Sequence, residues 1–100
     1  MVEYKTKFLR AEWEVLSREY ENEKFLELTV YKKNYKKSFY HLLIEVDQVK
    51  DISLMREIGN AALLNYRTFD RLELEKEISE LQGEILEWLV EYLMDNLIAG

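Results

Sequence analysis

Leu9-Arg10-Ala11-Glu12-Trp13-Glu14-Val15-Leu16 decides the fold, because two periodicities fit it. Leu9, Trp13, Leu16 and Tyr20 recur at +4, +3 and +4, which is one face of a helix. Glu, Arg, Lys, Ala and Leu dominate residues 3–23, and these residue types favour helix. Against this, Tyr4, Phe8, Ala11 and Val15 form a second apolar stripe opposite the first. Lys7, Leu9, Ala11, Trp13 and Val15 also alternate as a strand does. The preferred reading is a helix over 3–23, with the strand as its rival.

The next segment reads as an antiparallel β-hairpin over about 25–46. Leu26, Leu28 and Val30 alternate with Glu27, Thr29 and Tyr31, and Tyr40, Leu42, Ile44 and Val46 alternate with His41, Leu43, Glu45 and Asp47. Asn34 is the natural turn residue between them. A rival helical spacing runs through Leu28, Tyr31, Tyr35, Phe39, Leu42, Val46 and Val49. Two helices follow, at about 51–66 and about 70–97. Leu54, Met55, Ile58, Ala62 and Tyr66 share one face of the first, and Gly59, Ala61 and Ala62 leave that face shallow. Asp70-x-x-Glu73 opens the second as a capping box.

These pieces predict an α+β domain: an N-terminal helix, the hairpin, then two helices covering one face of the sheet. The alternative is an all-α bundle. A two-stranded sheet is marginal alone, so it needs the helices, a third strand from residues 9–20, or a partner's strand.

One hundred residues allow one domain, 1–100. Apolar residues make up 48% and charged residues 34%, a composition that favours a packed core over disorder. The absence of cysteine excludes disulfides, thiolate metal sites and a cysteine nucleophile. With no proline and three glycines, Gly-rich phosphate cradles are not expected. Abundant Glu and Lys with scarce Gln lean towards a thermophilic composition. The opening residues lead into no apolar signal segment, and Glu87, Glu91 and Asp95 interrupt the apolar run Ile85–Ile98, too short and charged to span a bilayer. A cytoplasmic protein of a cell or of an intracellular virus is expected, with no membrane partner. An amphipathic helix for an anionic lipid surface needs lysine where this helix carries glutamate.

The charge is uneven. Residues 1–50 hold ten Lys/Arg against nine Asp/Glu, whereas residues 51–100 hold four against eleven. Within the first half, Tyr31-Lys32-Lys33-Asn34-Tyr35-Lys36-Lys37-Ser38-Phe39-Tyr40 interleaves four lysines with four aromatics. Lysines neutralise phosphates and aromatic faces stack on bases, so Lys32, Lys33, Tyr35, Lys36 and Lys37 are candidate nucleic-acid contacts. The competing reading is a solvated turn whose tyrosines lean on the core.

The last helix carries an acidic stripe of Glu73, Glu77, Glu80, Glu84, Glu87 and Glu91, expected to face solvent. Beside it run Leu74, Ile78, Leu81, Ile85, Trp88 and Tyr92. A second apolar stripe, Leu86, Leu89, Leu93 and Leu97, means that two sides of the C-terminal half are covered. These four leucines are the candidate oligomer interface. Trp13, Trp88 and seven tyrosines suit a core or an interface.

His41, Glu45 and Asp47 share parity on the second strand, and Glu27 lies on the partner strand. If the register brought Glu27 across from Glu45 or Asp47, the carboxylates would suit Mg²⁺ or Mn²⁺; the competing reading is a polar solvent face. Leu42-Leu43-Ile44-Glu45, followed by Asp51 and Leu54-Met55 on a helix, resembles the strand-then-helix segment of PD-(D/E)XK nucleases of the transposase-associated kind. The resemblance implies Glu27 as the upstream acid and Glu45 as the motif glutamate. Asp47 stands where that motif has lysine or glutamine, so it implies a degenerate, inactive nuclease fold. The lone histidine has no zinc-ligand companion, and Ser17, Ser38, Ser53 and Ser79 lack a nucleophile elbow. No catalytic residue, metal or cofactor is expected. The chain reads as a small acidic, non-enzymatic interaction or regulatory module of the adaptor, inhibitor or antitoxin kind, working as a homo-oligomer or on a protein partner. Nucleic-acid binding is the alternative.

Overall fold

The computed structural model describes residues 1–17, 24–49, 52–66 and 70–99. Strands come first: β1 (Val2–Lys5), β2 (Leu9–Ser17), β3 (Lys24–Lys32) and β4 (Ser38–Glu45). They form one antiparallel sheet in the order β1-β2-β3-β4. A short 3-10 turn, Val46–Gln48, leads towards α1 (Ile52–Asn65) and α2 (Arg71–Ala99).

The α+β class, the hairpin and the two C-terminal helices lie where the sequence places them. The expected N-terminal helix is wrong, and so is the all-α alternative: Leu9–Ser17 is a strand paired residue for residue with Lys24–Lys32, from Leu9↔Lys32 to Ser17↔Lys24. The physical reason is burial. Leu9, Ala11 and Trp13 are all sunk in the core, at a spacing of two. A helix would have left Leu9 and Trp13 on one face and turned Ala11, with Tyr4, Phe8 and Val15, onto the opposite one. The strand puts the odd residues on one face, where they flank Leu26, Leu28 and Val30. Intrinsic helix preference loses to tertiary pairing, as it does wherever a face must be buried. The hairpin gains its third strand from its own chain, and β1 supplies a fourth by pairing Val2↔Trp13 through Lys5↔Arg10.

One face of the sheet is covered. Leu54, Ile58 and Ala62 of α1 and Leu74, Ile78, Leu81, Ile85 and Leu89 of α2 pack onto it in one continuous core. The shallow stretch of α1 works as expected, for a Cβ at Gly59 would lie 3.6 Å from Ile78 Cδ1. Asp70 caps α2 through Oδ1, which accepts the N–H groups of Leu72 at 2.9 Å and Glu73 at 3.3 Å. The opposite sheet face carries Glu12, Glu14, Glu27, Thr29, His41, Leu43 and Glu45.

Candidate functional site

The β3–β4 tip is an ordered structure rather than a loose turn. Asn34 takes a left-handed φ of 73°, and the Tyr35 N–H donates to the Lys32 carbonyl at 2.9 Å. The register shifts at Val30/Tyr31, so that Tyr31 faces Ser38 and Phe39 is the extra residue of a bulge. The Lys33 N–H donates to the Phe8 carbonyl at 2.8 Å, which ties the tip to the β1–β2 turn. From just past the end of α1, Tyr66 sets its ring edge-on to Tyr35 at 5.6 Å and to Phe39 at 5.8 Å. The Lys32 ammonium lies 4.9 Å from both the Tyr35 and the Tyr66 ring. An ammonium within about 6 Å of an aromatic ring is attracted by the ring's quadrupole. Lys32 thus belongs to the tip's own packing, Lys33 is half-buried, and Lys36 and Lys37 are exposed with Tyr35.

Arg10 organises the next layer. Its guanidinium lies 3.9 Å over the Tyr31 ring, pairs with Glu12, and donates to the Tyr35 carbonyl at 3.3 Å. The Tyr31 hydroxyl donates to Glu12 at 3.3 Å. Burial and the Glu12 carboxylate raise the Tyr31 pKa above the usual 10.0, against the opposing pull of Arg10.

The carboxylate face does not assemble as the nuclease resemblance requires. The register sets Glu27 opposite Leu43, and Glu45 opposite Phe25. Glu27 lies 3.7 Å from His41 Nε2 instead. Asp47 has left the strand for the 3-10 turn, because pairing ends at Glu45. Asp51 lies outside the described residues. Among those residues, no three His, Cys, Asp or Glu side chains are grouped to hold a metal ion.

The acidic stripe of α2 divides. Glu73, Glu80, Glu84, Glu87 and Glu91 face solvent, but Glu77 is buried. Its Oε1 accepts the Phe8 N–H at 2.8 Å and the Thr6 hydroxyl, so it joins α2 to the β1–β2 turn. Burial, then Glu84 and Glu80, raise the pKa of Tyr4 nearby.

The C-terminal half of α2 presents the other candidate surface. Trp88 meets Trp13 edge-on at 6.3 Å and stacks on Tyr92 at 5.2 Å. Lys24 reaches over Tyr92 at 5.6 Å. Of the four candidate leucines, Leu89 is buried in the molecule's own core, while Leu86 and Leu93 are half-buried. The Leu97 side chain lies outside the described residues. Val90 and Met94, each 57% exposed, extend the surface, and sequence reasoning missed both. Their signal was present as an i, i+4 apolar pair adjoining Leu86 and Leu93. Tyr66 gave no such signal, since nothing in its helix spacing points to a strand turn.

None of the described helices is long and apolar enough to cross a membrane. Comparison with known proteins finds no matching family model, no matching curated protein and no matching solved structure.

Proposed function

We propose that this chain is a small, non-enzymatic interaction or regulatory module of the cytoplasm whose working surface is the C-terminal half of α2. One observation carries the reading. Leu86, Val90, Leu93 and Met94 form an apolar strip on α2 that begins at half-buried Leu86, packed against the core, and runs out to exposed positions. Proteins rarely leave such a strip bare unless something covers it. Trp88 and Tyr92 beside it are residue types enriched where proteins meet. A second copy of the chain or another protein could cover its apolar residues.

Photo-crosslinking from position 90, in the cell that makes the protein, tests the reading. Leu64, 84% exposed on α1, is the control position. A discrete protein adduct from position 90 and none from 64 is expected. Equal yields at both, or none at 90, would sink the proposal. Its non-enzymatic part has a separate check: DNA or RNA cleavage with Mg²⁺ or Mn²⁺ that disappears on Glu45→Ala would promote the nuclease reading instead.

A further inference from the structure

We infer that the occupant of this strip is a basic amphipathic helix of a partner protein, laid along α2 where α1 no longer covers it. The inference rests on the reading above of α2 as the working surface, and it names the partner's chemistry.

Geometry supplies the shape. Five residues of sequence separate α1 from α2, and Gly59, six positions before α1 ends, packs against Ile78, seven positions into α2, the pairing expected of two antiparallel helices. The first residue of α1, Ile52, therefore lies level with about Ile85. Gln82 marks the same boundary, because its amide donates to the Val49 carbonyl at 3.2 Å, just ahead of α1. Beyond it, α2 continues with no described helix beside it. Leu86, Val90, Leu93 and Met94 stand at i, i+4, i+7 and i+8, the spacing by which one helix lies against another.

Charge supplies the chemistry. Lys76 is the last Lys or Arg of the sequence; from residue 77 to 100 there are six carboxylates and no cation. Three of them, Glu87, Glu91 and Asp95, are exposed along this half of the helix. The last turn of α2 holds no basic residue to offset the negative end of the helix dipole. The negative potentials of the side chains and the helix end add along one rim. A second copy of α2 would bring its own Glu87 and Glu91 to that rim, from a chain of net charge -6. Like charges placed opposite each other select against that pairing. A helix with a leucine stripe flanked by Lys or Arg satisfies both the strip and the rim.

Two synthetic helical peptides with the same leucine stripe provide the test, one flanked by lysine and the other by glutamate. Tryptophan fluorescence, with Trp88 beside the strip as the nearer of the two indoles, reports occupancy, and light scattering reports mass. The expected result is binding of the lysine peptide roughly tenfold or more tighter than the glutamate peptide, weakening as salt rises. Glu87→Lys with Glu91→Lys should remove that preference. Glu14→Lys with Glu45→Lys, the same change of net charge on the bare sheet face, should leave it. Val90→Ser with Met94→Ser should weaken both peptides. Equal binding of the two peptides, or loss of the preference in the sheet-face control, overturns the basic partner. If neither peptide binds and the wild type is a dimer abolished by Val90→Ser with Met94→Ser, the surface stands and the basic partner falls. If neither binds and the chain is monomeric, both readings fail.

Discussion

Glu77 shows how far one buried carboxylate departs from its neighbours in a stripe. It accepts from a hydroxyl and from a backbone N–H in a turn 71 and 69 residues earlier in the sequence. Glu77→Ala takes the acceptor from the Phe8 N–H and leaves the Thr6 hydroxyl only the Leu9 carbonyl at 3.4 Å, and should cost about 1–3 kcal/mol in urea unfolding. Glu77→Gln keeps one oxygen and should cost about half as much; equal losses for both would mean that the hydrogen bonds contribute little. Tyr40 makes a different contact. Its hydroxyl donates to Glu57 at 2.7 Å, and burial first, then that bond and the Glu57 charge, hold its pKa well above the ordinary 10.0. Since the folded state favours the protonated phenol, its contribution is complete below pH 10 and is lost as pH rises beyond. Tyr4 and Tyr31 shift the same way. Stability should therefore fall above about pH 10. The fall should be shallower in Tyr40→Phe, as followed by thermal unfolding across alkaline pH; an unchanged slope would count against Tyr40.

At the scale of elements, alternation was legible for β3 and β4, and the Asp70 cap and the apolar stripe were legible for α2. The segment at Leu9–Leu16 was not. Its residues satisfy periods of both 3.6 and 2, and only the partner strand, which local spacing does not contain, breaks the tie. The candidate site was half legible. Leu86 and Leu93 were read, but Leu89 faces inward, since a helix crossing a sheet buries more than one row. The tip lysines were read too, yet the approach of Tyr66, which follows α1, depends on tertiary folding. Two predictions belong here. Gly83 is exposed with open space around its Cβ position, so Gly83→Ala should stabilise α2 by about 0.5–1 kcal/mol, measured by chemical denaturation. With Lys32 committed to Tyr35 and Tyr66, the hairpin tip offers about three lysines to a phosphate chain. Any binding of a labelled single strand should follow salt with a log–log slope of about -2 to -3. If Lys33→Glu with Lys36→Glu leaves that binding unchanged, the contact lies elsewhere.

The whole molecule is long, 46 × 24 × 22 Å. Helix α2 sets that length: its 29 residues span about 43 Å, twice the reach of the 14 in α1. If copies associate through the strip, light scattering at micromolar concentration should show a dimer that Val90→Glu with Met94→Glu converts to a folded monomer; both positions are exposed, so the fold should survive. Placing every strand ahead of the helices also imposes an order in time. During synthesis the sheet is finished before its cover exists. At ~5–20 residues per second, the ribosome needs roughly 2–9 s to pass from Glu45 to Leu89, the last buried residue among those described in α2. Until then Leu9, Trp13, Leu26, Leu28 and Val30 form one side of a naked apolar layer. The nascent chain is most exposed to misassociation in those seconds, and the bond from Glu77 to Thr6 and Phe8 is the latch that closes behind it.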